Sequence, residues 1–156
     1  MKCESGRSMI EMLGVLAIMG VLTVGAIEMI QMAMNTQKRN TVNEEVLQIV
    51  TQVRNLHSEY DDFSNLNTAT IFSAIGMSEK NPYGGNYEVA VDSANPRQFV
   101  VSITGLSKNE CETFVTKGWQ DSVGHRLSDG KSSGAMSPEN CSASNGRNSV
   151  QIVYGE

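Results

Sequence analysis

The chain has 156 residues, with 12 Lys and Arg against 17 Asp and Glu, so its net charge of -5 excludes a basic nucleic-acid surface as its organising feature. Hydrophobic residues make up 40% but aromatic ones only 6%, with 14 glycines and 9 methionines. A globular part built from this composition has a modest core and many turns, and needs a staple or neighbours.

A short polar leader, Met1-Lys2-Cys3-Glu4-Ser5-Gly6, precedes the most informative stretch. Met12 to Ile27 carries no charge, and apolar character extends from Met9 to Met34 with Glu11 and Glu28 as the charged interruptions. A bilayer crossing takes about 20 apolar residues, so the stretch reads as a short membrane helix with a carboxylate near each end. Beyond Met34 the chain runs Asn-Thr-Gln-Lys-Arg-Asn, without the small-residue cleavage site of a secretory signal, which predicts that the segment is retained. After Lys38-Arg39, residues Val42, Val46, Ile49, Val50, Val53, Leu56 and Tyr60 recur on one helical stripe. No proline interrupts before Pro82, so one helix is expected from about Met9 to about Tyr60, apolar all round in its first half and amphipathic in its second. Gly14, Gly20 and Gly25 each weaken the first half by roughly 0.8–1 kcal/mol relative to alanine, and permit close packing or bending.

Asp61-Asp62-Phe63-Ser64-Asn65 breaks the helix, and Thr70 to Ile75 is an apolar patch without a clear period. Asn81-Pro82-Tyr83-Gly84-Gly85-Asn86 is a strong turn signal, after which Tyr87 to Val91 and Gln98 to Thr104 read as the two strands of an antiparallel hairpin. Ser107-Lys108-Asn109-Glu110 has the spacing of a capping box, and Cys111, Phe114 and Val115 then share one face, so a short helix is expected over Ser107 to Lys117 with Trp119 and Val123 packed beneath it. Gly124 to Ser149, rich in Ser, Gly and Asn, reads as a long surface loop, and Val150 to Tyr154 as a last strand in a central or covered position.

Cys3 lies in the polar leader and would be lost with it if the leader is cleaved, which leaves Cys111 and Cys141 in the remainder. Two cysteines suit one disulfide, worth roughly 3.5–4 kcal/mol in the chain-entropy model; the alternative is a pair of unlinked thiols serving as small hydrophobes.

The run Gly6-Arg7-Ser8-Met9-Ile10-Glu11-Met12-Leu13, followed by the apolar stretch, resembles the type IV pilins and their pseudopilin relatives. The resemblance implies cleavage between Gly6 and Arg7 by a prepilin peptidase, N-methylation of Arg7, and retention of the helix as the core of a homo-oligomeric helical filament. It implies that Glu11 pairs with the N-terminal amine of a neighbouring subunit, a cation that offsets the cost of burying the carboxylate. The implied fold is α+β, a long N-terminal helix packed on a C-terminal antiparallel β-sheet head. The implied layout is leader 1–6, hydrophobic helix 7–34, amphipathic half 35–60, and head 61–156 with a disulfide-bounded region 111–141, the type IVb arrangement. The precursor would sit in the bacterial inner membrane, meet the pilus assembly machinery there, and end in an extracellular pilus.

Chemistry-bearing patterns are sparse. His57 and His125 stand alone, and the chain has no Cys-x-x-Cys, phosphate-binding loop or nucleophile elbow, so no catalytic residue, cofactor, metal site or nucleotide binding is expected. Asp121, Asp129 and Glu139 lie in loop-like sequence without calcium-ligand spacing, and solvated acids are the simpler reading. Glu28 reads as a helix-surface acid near water. The function the resemblance implies is structural, that of a major pilin, with a minor pilin, a type II secretion pseudopilin, or a single-pass anchored binding module as alternatives.

Overall fold

The computed structural model describes residues 5–127, 137–144 and 146–155, with side chains from residue 9 onward. Its first element, α1, is a single α-helix over Ser5–Leu56, and the chain divides into two compact units, Met1–Asn40 and Thr41–Glu156, each contributing part of α1.

In the second unit the α1 stripe is the centre of the core. Val42, Val46, Ile49, Val50 and Val53 are all buried, whereas Leu56 and Tyr60 are exposed because the helix ends at Leu56 and the chain leaves the stripe. Here the expected helix is four residues too long at its C-terminal end. A turn closed by Tyr60 N–H donating to His57 C=O follows, and Phe63 is then tied to the far loop through its N–H to Pro96 C=O at 2.9 Å.

The patch without a clear period is a helix, α2 (Thr68–Ile75). Asn67 caps its start by accepting from the N–H groups of Ala69 and Thr70, and Gly76, at φ 70°, closes its end. Ile71 and Phe72 are its two buried residues.

The four strands are β1 (Tyr87–Val91), β2 (Gln98–Leu106), β3 (Ser122–Leu127) and β4 (Asn148–Gly155), in the spatial order β1-β2-β4-β3 with every pairing antiparallel. The β1-β2 hairpin has the expected residues, and β4 takes the central place that its apolar sequence calls for. Tyr87, Val89, Phe99, Val101, Ile103, Val150, Ile152 and Tyr154 point inward together, as period-two alternation requires. Between β2 and β3 lies α3 (Lys108–Thr116), with Ser107 and Glu110 forming the reciprocal capping box. The fold is thus α+β.

Two expectations for the C-terminal part need correction. The stretch expected to be a loop from Gly124 begins inside strand β3, and it later contains a 3-10 turn at Pro138–Asn140. Val123 is 56% exposed instead of lying under α3, because the register against β4 slips between Ser122 and Gly124 and turns it outward. Trp119 does pack as expected, buried with its indole N–H donated to Phe114 C=O at 3.1 Å.

The turn before β1 is built around one side chain. Asn81 is buried, donates through Nδ2 to the carbonyls of Asn86 (3.2 Å) and Thr104 (2.8 Å), and accepts at Oδ1 from the N–H groups of Tyr83 (2.9 Å) and Gly85 (3.1 Å). Gly85 is obligatory there, since a Cβ would run into the Thr104 carbonyl.

Candidate functional site

Among its described residues, the first unit has no buried side chain. Sixteen large apolar side chains between Met9 and Met34, from Met9 to Met34 along α1, are each 50% to 75% exposed. The helix is long and apolar enough to cross a membrane by length and composition. Two of its hydroxyls are satisfied within the helix: those of Thr23 and Thr36 donate to the carbonyls of Met19 (2.7 Å) and Met32 (3.0 Å) one turn back. Transfer into lipid or between helices therefore strands neither of these two donors. A Cβ added at Gly14, Gly20 or Gly25 would meet nothing within 4 Å, so nothing in the chain itself calls for their missing side chains.

The residues singled out in the sequence fall on this helix. Gly6 and Arg7 lie within the first turns of α1, and their side chains are outside the described set. Glu11 and Glu28 are exposed, and neither carboxylate meets a hydrogen-bond or ionic partner among the described residues. Cys3 lies outside the described residues.

The second feature is the disulfide-bounded region. Cys111 on α3 and Cys141 after the 3-10 turn are joined, with Cα atoms 6.0 Å apart and both side chains buried. Beside the bridge, buried Asn148 at the start of β4 donates to the carbonyls of Leu106 (3.2 Å) and Ser142 (3.0 Å) and accepts from Ser142 N–H (2.7 Å). One covalent and three polar links therefore hold α3, β2 and the segment leading into β4. On β3, His125 Nε2 donates to Val115 C=O at 2.8 Å, which gives this histidine a structural task. Arg126 reaches across the outer sheet face, donating to Gln151 (2.9 Å) and to the buried carboxylate of Asp92 (2.7 Å). Asp121, at φ 57°, pairs with Arg54 at 3.7 Å, Glu139 is exposed in the 3-10 turn, and Asp129 lies outside the described residues.

Burial governs the ionisation of the head's tyrosines. Desolvation pushes the Tyr154 phenol up to about 12, and desolvation reinforced by a 2.5 Å hydrogen bond to the Glu45 carboxylate raises Tyr87 well above the ordinary range. Desolvation lowers Lys117, whose ammonium donates to Asn43 and lies 4.4 Å from the centre of the Trp119 ring.

A helix with an unburied apolar surface, joined to an antiparallel sheet with a disulfide-bounded C-terminal region, is consistent with the pilin fold. The chain is 26% identical over 128 residues to the toxin coregulated pilin of Vibrio cholerae serotype O1, an alignment that covers 72% of this chain and 57% of that protein. The chain thus spans little more than half the length of the relative it matches. The resemblance to the type IV pilins is thereby shown beyond the N-terminal motif. No protein-family model matches the chain.

Proposed function

We propose that this chain is the major structural subunit of a type IV pilus. The observation that carries the reading is the exposed apolar surface of Met9–Met34. Completing the burial of each side chain is worth about 1 kcal/mol, hence on the order of 15 kcal/mol for the sixteen. Only lipid or other copies of the same helix offer a surface of this extent. In the proposed cycle the precursor waits in the inner membrane, prepilin peptidase cuts between Gly6 and Arg7, and the new terminus at Arg7 is methylated. The inner-membrane assembly machinery, driven by an ATPase on another chain, then moves the helix from lipid into a helical bundle of its copies.

Glu11 is the proposed partner of the Arg7 amine on a neighbouring subunit. Burying a lone carboxylate costs several kcal/mol, which an amine at the same depth offsets. The test is the intact mass and N-terminal peptide of protein from sheared extracellular fibres, with wild type and Glu11→Ala side by side. Fibres of a species beginning at methylated Arg7, lost or severely reduced in the variant, are expected. A chain still beginning at Met1 and confined to membranes would overturn the reading in favour of an anchored module. A cut form held in the envelope would replace the major pilin with a pseudopilin.

A further inference from the structure

Where α1 ends, the connection to α2 frames a concavity of about 500 Å³ whose walls include Arg54, His57, Tyr60, Asp61, Phe63 and Arg97. A smaller one of about 210 Å³ shares His57 and Tyr60 and adds the amides of Asn65 and Asn67. All of these residues belong to the 41–156 unit. The larger one by itself falls in the range of small-molecule sites.

The walls are held in place. Phe63 packs on Phe99 with ring centres 4.8 Å apart and is tied by its N–H to Pro96, and His57 Nδ1 donates to Val53 C=O at 3.2 Å. The Ser64 N–H and hydroxyl fix the Asp62 carboxylate at 3.1 and 2.9 Å. Against this rigid frame Tyr60 is 63% exposed, its ring 5.9 Å from that of His57, and it borders both concavities. An aromatic face left in water on a fixed turn is spare binding surface.

The charges around it do not select an anion. Arg54 is paired with Asp121, and the Arg97 guanidinium shares its surroundings with Asp61 in the wall and with nearby Asp62. A donor (Arg97) and an acceptor (Asp61) therefore share one concavity with an exposed aromatic ring and leave it little net charge. The complementary ligand has a flat face of C–H groups and a rim of uncharged hydroxyls. We propose that the larger concavity binds a neutral saccharide of one or two rings, a pyranose C–H face lying on Tyr60 and its hydroxyls bonded by Arg97 and Asp61. The site is open, so a single copy binds weakly. If the proposed filament forms, repetition along it multiplies the avidity, but binding to one chain does not depend on assembly.

The test uses the full chain as monomer in a zwitterionic detergent free of sugar headgroups, with lactose, cellobiose and chitobiose as probes in saturation-transfer NMR. Saturation of the ring C–H protons of at least one disaccharide is expected, retained in Tyr60→Phe, lost in Tyr60→Ala, and weakened about tenfold in Arg97→Ala, each variant melting as wild type does. No saturation of any of the three, or saturation that survives Tyr60→Ala, would overturn the proposal. Because the sample is monomeric, failure here is separable from failure of filament assembly.

Discussion

Opening the Cys111–Cys141 bridge should be among the most damaging single changes in the head. The bridge spans a sequence separation of 30, for which loop closure predicts about 3.6 kcal/mol of stabilisation through the unfolded chain. Both sulfurs are buried, so a serine would add the cost of a buried hydroxyl, and Cys141→Ala is the cleaner perturbation. At about 3–6 °C per kcal/mol for a unit of this size, the melting temperature should fall by about 10–20 °C. The assay is near-ultraviolet circular dichroism of the full chain in detergent, heated with and without reductant, where Trp119 and the buried tyrosines report on the head alone. Wild type in reductant and Cys141→Ala should coincide at the lower temperature, with Cys141→Ala insensitive to reductant. Equal melting under all conditions would refute the idea that this thin core depends on its staple.

Three further changes test the polar framework. Asn81→Ala removes four hydrogen bonds to part-buried backbone groups at the turn before β1, so it should cost about 3 kcal/mol by urea titration even though no apolar contact is lost. The Arg126–Asp92 pair should respond asymmetrically: Arg126→Met abandons a buried carboxylate and should cost about 3–5 kcal/mol, whereas Asp92→Asn leaves a part-exposed guanidinium that water can serve and should cost much less. Tyr87 and Tyr154 have folded pKa values raised above the unfolded 10.0, so the folded state holds protons that the unfolded chain releases. Their contribution is complete below pH 10 and is lost as pH rises beyond it, so urea midpoints should fall from pH 9 to 11, and Tyr154→Phe should flatten the fall.

The parts of the fold that were legible from sequence are those in which a local signal coincides with the tertiary role. Ser107 and Glu110 cap α3 because their spacing satisfies the first turn wherever the helix packs, and the valines of α1 keep helical period because one face meets the sheet. β3 was hidden because its polar residues are satisfied by partners remote in sequence: His125 by Val115, and Arg126 by Asp92 and Gln151. No alternation survives in Ser122-Val123-Gly124-His125-Arg126-Leu127, and the register slip removes what Val123 would have contributed. α2 was readable in principle, bracketed by the capping Asn67 and the left-handed Gly76, but eight residues with two buried side chains leave almost no period. The concavity around Tyr60 depends on the stop at Leu56, and the stripe gave no warning that the helix would end one turn early.

Strength and register have different sources in the proposed filament. Six of the nine methionines lie between Met9 and Met34, and their flexible side chains fit many neighbours equally well. Apolar packing of this kind holds helices together without fixing how far one slides along the next. A buried carboxylate does fix it, because any slip that takes Glu11 from its amine leaves an unpaired charge costing several kcal/mol. Glu28 lies about 25 Å further along α1 at 1.5 Å per residue, too far for the same amine to serve both carboxylates. If Glu11 alone sets the register, Glu28→Ala should still give fibres with the wild-type helical repeat by electron microscopy, while Glu11→Ala gives few or irregular ones. Regular fibres from Glu11→Ala and none from Glu28→Ala would move the register to the second carboxylate.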